Sequence, residues 1–355
     1  MPYNGYAAAQ TDVWPPAISA AGAVIIDAAS GRVLAQHNMN DQLPMASTTK
    51  IMTALVVLEN ASLDDVVEIT PQMCGIEGSS IYLKAGEHLS VYELLCGMLL
   101  RSGNDAATAL AIYTAGSQEA FVEMMNRRAQ ELGLENTRFQ NPHGLPDPQH
   151  DTTALELARI AAEAMENPVF AQIVATQKAQ IPWEGEPWDR VLTNKNKILT
   201  MVEGGNGIKT GYTKAAGRCL VGAAKRDGMQ LIMVTLGCAD DFNSQKQWFD
   251  AAFDRYDPIT FLNAGEPVAR VPAAFGAVTV TTAQDVVVAA AAGERLSMLV
   301  HLPARVSFFS DPQIPVGTAE IQVNGQTVTT VALVRVDAQQ RGSFVENLRI
   351  IAVNW

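Results

Sequence analysis

Three short strings constrain what this 355-residue chain can fold into more than any other feature of its sequence. They are Ser47-Thr48-Thr49-Lys50, Ser102-Gly103-Asn104 and Lys209-Thr210-Gly211. Neighbouring residue patterns place the first string at a helix start, the second between two helices and the third in a strand. Each string alone is a weak signal, but all three in this order predict a fold that brings them into one cleft.

The first string combines a hydroxyl group with a lysine one helical turn away. Helical spacing follows it, with apolar residues at Ile51, Ala54, Leu55 and Leu58. We therefore expect a helix over residues 48–58 with Ser47 just before it. Side chains three apart lie on one helical face, so Lys50 can take the proton of Ser47 once burial or a nearby cation lowers the lysine pKa.

The second string places a hydroxyl and an amide between two predicted helices. There Ser102 can pass a proton from the lysine toward a leaving amine, and Asn104 can hold both the lysine and a substrate backbone. The ordinary alternative for this string alone is a helix N-cap.

The third string suits the recognition of a carboxylate. Lys209 and Thr210 supply an ammonium and a hydroxyl, and Gly211 lets a substrate backbone lie close to an edge strand. The N–H groups of Ser47 and Tyr212 are candidate donors to an oxyanion. An exposed lysine beside a turn glycine is the ordinary alternative.

The periodicity predicts a fold of the α+β class. Strands are expected at residues 23–26, 32–36, 219–224 and 229–236, and helices at 91–100, 105–114, 118–132, 154–165 and 244–253. Ser117 is the expected N-cap of the 118–132 helix and Gly133 its end. Because strands both precede and follow the helices, we expect the first and last strands to share one sheet.

A second, all-β domain is expected after a boundary near residue 263. Short strands are indicated at 278–281, 285–289, 296–302, 320–323 and 327–336, and Asn324-Gly325 is a strong hairpin signal. The predicted organisation is therefore an N-terminal segment over 1–19, a catalytic domain over 20–262 and a β-rich domain over 263–355.

Composition excludes several other classes of protein. A formal net charge of −12 without a basic stripe argues against nucleic-acid binding. The four scattered cysteines, which we expect to be buried free thiols, do not form a disulfide framework. The N-terminus is not an intact secretory signal, although Ala7-Ala8-Ala9-Gln10 fits the remnant of one.

The three strings match the S-x-x-K, S-x-N and K-T-G signature of penicillin-binding proteins and serine β-lactamases. Their surroundings resemble the D-alanyl-D-alanine carboxypeptidases of the penicillin-binding protein 5 group over nearly all of residues 20–256. The similar stretches include Gly78-Ser79-Ser80, Arg101-Ser102-Gly103-Asn104-Asp105, Asn141-Pro142-His143-Gly144-Leu145 and Gly207-Ile208-Lys209-Thr210-Gly211-Tyr212.

This resemblance implies a penicillin-binding/β-lactamase-like domain, an antiparallel sheet with helices and a helical subdomain, followed by a small all-β domain. It implies an acylated Ser47, a basic Lys50, and Ser102 with Asn104 as relay and substrate holder. Lys209 and Thr210 would bind the terminal carboxylate. The implied substrate is a peptidoglycan stem peptide ending in D-Ala-D-Ala, with β-lactams as covalent inhibitors and no metal or cofactor.

Two arginines of one member of this family have no counterpart here. Ala239-Asp240-Asp241 stands where an arginine follows a strand, and Lys195 replaces another arginine. We therefore expect carboxylate recognition to rest more heavily on Lys209 and Thr210. His143 is expected to be structural.

The resemblance also implies an extracytoplasmic, secreted protein. Family members often end in an amphipathic membrane helix, and residues 344–353 are too short for one. Peripheral membrane association would therefore need an anchor that this chain lacks.

Two alternatives stay open at this point. A serine β-lactamase would need a glutamate to activate water, and no convincing Glu-x-x-Leu-Asn segment lies between Asn104 and Lys209. A non-catalytic wall-binding scaffold would have no need to retain Ser47, Lys50 and Lys209, yet all three are present.

Overall fold

The computed structural model describes residues 14–273, 276–306 and 314–336. Its described residues form two compact units, one of residues 14–28 and 33–254 and the other of residues 29–32 and those from 255 onward. The predicted ranges 1–19, 20–262 and 263–355 stay predictions. Residues 7–10 and 344–353, which entered the expectations about processing and anchoring, lie outside the described residues.

The first unit alternates between strands and helices. In chain order its elements are β1 (Gly22–Asp27), β2 (Val33–His37), β3 (Leu43–Pro44), α1 (Lys50–Asn60), β4 (Val66–Glu68), β5 (His88–Ser90), α2 (Val91–Arg101), α3 (Asn104–Ala115), α4 (Gln118–Glu131), β6 (Asp151–Thr152), α5 (Ala154–Glu166), α6 (Pro168–Ala175), β7 (Lys178–Ile181), β8 (Arg190–Thr193), α7 (Ile198–Met201), β9 (Gly205–Thr213), β10 (Gly217–Arg226), β11 (Met229–Leu236) and α8 (Asp241–Arg255). Short 3-10 turns occupy Ala46–Thr49 and Pro71–Met73.

An antiparallel sheet in the order β2-β1-β11-β10-β9 organises this unit. The first and last strands share it, as predicted, because β1 pairs directly with β11. Helices cover both faces, which explains why β1 is buried throughout its length. A Cβ added at Gly222 would meet Gln245 and Phe249 of α8 on one face of the sheet. A Cβ added at Gly207, on the opposite face, would meet Val174 of α6.

The helices expected from periodicity are all present within a few residues of their predicted bounds. Ser117 caps α4 by accepting from the Ala120 N–H, and Gly133 follows the helix with φ +67°. Two expectations need correction: α8 begins at Asp241 rather than at 244, and α1 begins at Lys50. The sequence analysis also missed α6, whose Pro168 fits the first turn of a helix.

The second unit is all β. Its elements are β12 (Tyr256–Leu262), β13 (Ala269–Ala273), β14 (Gly276–Thr282), β15 (Val286–Ala291), β16 (Leu296–His301), β17 (Gly317–Val323) and β18 (Gln326–Arg335). A sheet runs in the order β13-β14-β18-β17-β16, and β12 pairs with β15. Asn324 and Gly325 have φ 53° and 82° and connect β17 to β18, which confirms the predicted hairpin. The α+β class and the all-β second unit are confirmed.

A buried ion pair holds the loop before β5 against the β7–β8 hairpin. The guanidinium of Arg190 binds both carboxylate oxygens of Glu87 at 2.6 and 2.7 Å and also donates to the carbonyls of Ile81, Tyr82 and Pro182. Both side chains are almost fully buried. This arrangement fixes the loop that carries Ser79 and Ser80.

We expect Arg190→Leu to destabilise the first unit by about 3–5 kcal/mol, because it leaves the Glu87 carboxylate buried without its partner. Calorimetric unfolding of the variant measures the loss. The double variant Glu87→Leu, Arg190→Leu should recover much of it, since both charges are then removed. Equal stability of wild type and the Arg190 variant would contradict this account.

Candidate active site

The first string forms the centre of the site. Ser47 lies in the 3-10 turn Ala46–Thr49, and α1 starts at Lys50, so the serine sits inside a tight turn rather than just before a regular helix. The Nζ atom of fully buried Lys50 lies 3.1 Å from Ser47 Oγ, 2.7 Å from Asn104 Oδ1 and 2.6 Å from the carbonyl oxygen of His143.

The second string joins α2 to α3. Ser102 ends α2 in the left-handed conformation, with φ 64° and ψ 30°, and Asn104 begins α3. Strained backbone of this kind is typical of functional sites. The Asn104 side chain is fixed at both ends, because its Nδ2 donates to the carbonyl of Glu77 at 2.5 Å while its Oδ1 accepts from Lys50.

The third string lies on β9, at the edge of the sheet. Lys209 is 2% exposed, and its Nζ donates to the Thr210 carbonyl at 2.9 Å. A Cβ at Gly211 would lie 3.1 Å from the backbone N of Ser47, so glycine lets β9 approach the serine turn without displacing its backbone. Tyr212 is two-thirds exposed.

A pocket of about 380 Å³ contains one or more residues from each string. Its lining consists of Ser47, Ser79, Ser102, Lys195, Lys197, Thr210, Gly211, Tyr212, Arg218, Asp241 and Phe242. A larger cavity of about 890 Å³ lies along residues 133–138 and contains none of the three strings. We therefore place the candidate site in the smaller pocket, where the reactive groups meet.

Burial lowers the pKa of Lys50 well below its usual value, and the charge of nearby Lys209 lowers it further. Burial and Lys195 lower the pKa of Lys209 to about 7. The lowered pKa of Lys50 favours its neutral amine form, which is the form that can accept a proton.

Two histidines support the serine turn in their neutral forms. Burial and the Lys50 charge lower the pKa of His143 to about 3, and burial lowers that of His150 to about 4. The Nδ1 atom of His150 accepts from the Gln140 N–H, so its Nε2 donates to Thr49 Oγ1 at 2.7 Å. Thr49 Oγ1 in turn donates to the Ala46 carbonyl.

Sequence reasoning missed four contributors to the site. The His143 carbonyl binds Lys50, but a backbone contact leaves no pattern of residue types. Gly144 has φ +87°, and a Cβ there would overlap the Ala46 carbonyl. Lys197 and Arg218 also line the pocket. Their positions there depend on the pairing of β9 with β10 and on the placement of α7, which the sequence does not indicate.

Comparisons with known proteins agree with this geometry. A model of the D-alanyl-D-alanine carboxypeptidase family matches residues 9–240. Over 350 residues, the chain is 30% identical to D-alanyl-D-alanine carboxypeptidase DacF of Bacillus subtilis, covering 95% of this chain and 90% of that protein. It is 32% identical over 372 residues to DacC of Escherichia coli, with coverage of 96% and 89%.

Solved structures show the same likeness. Penicillin-binding protein 5 from Haemophilus influenzae superposes with a TM-score of 0.76 at 26% identity, covering 91% of this chain and 98% of that one. This match extends over both units and confirms the fold expected from the resemblance.

The charge of Lys209 gives a direct test of the electrostatics. We expect Lys209→Gln to raise the pKa of Lys50, because the substitution removes a cation that disfavours the ammonium form. NMR titration of isotope-labelled lysine side chains measures this change. Lys225→Gln, which changes an exposed lysine of β10, should leave the Lys50 titration unmoved. A Lys50 pKa that falls or stays constant in the Lys209 variant would refute the coupling.

Proposed function

The chain belongs to the D-alanyl-D-alanine carboxypeptidase family, and from that premise we propose how its own residues carry out the reaction. It is a serine D-Ala-D-Ala carboxypeptidase of the penicillin-binding protein 5 type and acts in peptidoglycan remodelling. The roles of individual residues, the stem-peptide substrate and the reaction with β-lactams are the proposal.

The observation that carries the proposal is the set of acceptors around Lys50. As a neutral amine, Lys50 directs its N–H groups to Asn104 Oδ1 and the His143 carbonyl. Its lone pair then faces Ser47 Oγ at 3.1 Å, which suits removal of the hydroxyl proton. Lys50 is therefore the general base and Ser47 the nucleophile.

The acylation step transfers the peptide's acyl group to Ser47. Ser47 Oγ forms a bond to the carbonyl carbon of the penultimate D-alanine while the peptide C–N bond breaks. The proton taken by Lys50 passes through the Ser102 hydroxyl to the departing amine, and D-alanine leaves. Water then hydrolyses the ester, which regenerates Ser47 and releases the shortened peptide.

Backbone N–H groups at Ser47 and Tyr212 stabilise the oxyanion in this scheme. Support comes from the close approach of β9 to the serine turn at Gly211, which brings both residues to one side of the pocket. A substrate peptide would lie along β9, with its terminal carboxylate toward Lys209 and Thr210.

β-Lactams are proposed to acylate the same serine, because their strained amide presents a carbonyl carbon and a carboxylate in one small molecule. Opening of the ring leaves an ester on Ser47. Asp241 is the one acid among the residues that line the pocket, and it is bonded to Arg218 at 2.8 Å. No carboxylate that lines the pocket is thus free to activate water. We therefore expect the β-lactam ester on Ser47 to be hydrolysed slowly, as in a carboxypeptidase and unlike a β-lactamase.

The proposed site of action is outside the cytoplasmic membrane, where peptidoglycan is located. Within the ranges that the structure describes, none of the helices combines the length and apolar character needed to cross a bilayer.

The reaction is tested with a peptide that ends in D-Ala-D-Ala. We expect the protein to release D-alanine, and Lys50→Ala to slow release by about 10³-fold or more because it removes the base. Ser47→Ala should abolish release. Lys178→Ala, which changes an exposed lysine of β7, is the matched control and should keep full activity.

Intact-protein mass spectrometry after mixing with penicillin gives an independent measurement. One covalent adduct is expected on the wild type and none on Ser47→Ala. An adduct that persists in Ser47→Ala would place the nucleophile elsewhere, and sustained destruction of penicillin would favour the β-lactamase alternative.

A further inference from the structure

We propose that Arg218 binds the terminal carboxylate of the substrate together with Lys209 and Thr210, and that the ion pair with Asp241 holds it there for this purpose. The inference rests on the proposed carboxypeptidase reaction at Ser47. It assigns a role in substrate recognition to an arginine of β10, which is at neither of the two positions where the sequence comparison looked for one.

Position is the first argument. Arg218 lies on β10 directly opposite Tyr212 of β9, in antiparallel register, and its neighbour Cys219 faces Gly211. Its side chain lines the same pocket as Ser47 and Thr210. A cation at this point sits beside the strand along which the substrate peptide is proposed to lie.

The way Arg218 is held is the second argument. Its Nη2 donates to Asp241 Oδ1 at 2.8 Å, and its guanidinium carbon lies 5.6 Å from the centre of the Phe242 ring. The Asp241 side chain is 4% exposed, whereas that of Arg218 is 46% exposed. The carboxylate is therefore the fixed partner, and it leaves much of the guanidinium open to the pocket.

Chemistry is the third argument. A guanidinium carries five N–H donors in a planar fork, so contact with one carboxylate leaves donors for a second. Asp241 Oδ1 is already bound by the Phe242 N–H as well as by Arg218, which fixes its orientation. Arg218 can thus bridge the protein carboxylate and the carboxylate of a bound peptide.

This bridge also offers a physical reason why the chain has Ala239-Asp240-Asp241 where an arginine was expected. An acid at 241 would repel an anionic substrate if it stood alone in the pocket. Paired with Arg218, it instead positions the cation from a different strand. The pair has no net charge, but it presents guanidinium N–H donors to a carboxylate within the pocket.

Lys195 and Lys197 also line the pocket, but each is held differently. Lys195 Nζ lies 3.4 Å from Ser79 Oγ, on the side of the β4–β5 loop. Lys197 Nζ lies 5.7 Å from the Phe242 ring centre and has no ion pair with an acid among the described residues. Arg218 alone of the three combines a fixed orientation with a fork of donors.

The test compares two peptides that differ only at the C-terminus, one ending in D-Ala-D-Ala and the other in D-Ala-D-alaninamide. We expect Arg218→Gln to lower kcat/KM for the free acid by about 10- to 100-fold, mainly through KM, because a hydrogen bond between charged groups is lost. The amide should be affected far less. Arg218→Lys, which keeps the charge but loses the fork, should give an intermediate loss.

Arg226→Gln is the matched control. Arg226 lies on the same strand and makes the same kind of contacts, to Asp250 at 2.7 Å and over the Phe253 ring at 4.4 Å, but it does not line the pocket. It should leave the preference for the free acid unchanged. Thermal unfolding of both variants shows whether the loss of an arginine has merely destabilised the unit.

Binding to Ser47→Ala, measured by calorimetry with the same two peptides, separates this inference from the proposed reaction. In that background, Arg218→Gln should weaken binding of the free acid and spare the amide, whether or not the wild type releases D-alanine. Equal effects on both peptides, or a preference for the acid that survives Arg218→Gln but is lost in Lys195→Gln or Lys197→Gln, would overturn the inference.

Discussion

Lys50 has no exposed surface, and the rest of the site is arranged around its amine. Removing an ammonium from water is expensive unless it is paired or becomes neutral. Here the acceptors that meet the amine are an amide oxygen and a carbonyl oxygen, both of them uncharged. They satisfy its N–H groups without stabilising the ammonium as strongly as a directly bonded carboxylate would. Burial thus favours the neutral amine that the proposed role of Lys50 as general base requires.

The precision of this arrangement depends on groups that do not touch the substrate. Asn104 keeps its orientation because Glu77 binds the other end of its amide. The carbonyl of His143 keeps its place because Gly144, at φ +87°, lets the loop pass against the Ala46 backbone. Asp105 accepts from the N–H groups of Ile81 and Leu83 and so ties the facing loop to α3. The site is therefore a property of several packed segments.

Side-chain patterns made much of this architecture predictable. The periodicity of α1 and the positive-φ pair Asn324-Gly325 are local signals, and both produce the expected structure. The predicted positions of the three strings, at a helix start, in a helix connection and in a strand, were enough to predict that they share one cleft.

The features that escaped prediction are set by long-range or backbone geometry. The 3-10 turn at Ser47 follows from the unusual φ of 49° at Ala46. Strand β12 contains Pro258, which hides its strand character, and it forms only by pairing with β15. Arg218 is positioned at the pocket by the register of β10 with β9 and by its bond to Asp241, which lies 23 residues further along the chain.

The electrostatics of the pocket are opposite to those of the whole chain. A net charge of −12 would repel an anionic peptide at long range, but at about 0.1 M ionic strength such forces fade beyond about 10 Å. At shorter range the peptide meets Lys195, Lys197 and Arg218, with Lys209 buried behind them. Because charge interactions are strongest at short distance, these nearby cations outweigh the distant acidic surface at the proposed carboxylate site. Two of these cations, Lys209 and Lys195, add to the effect of burial in lowering the pKa of Lys50, so the charges proposed to attract the substrate also favour the neutral amine that the proposed base role needs.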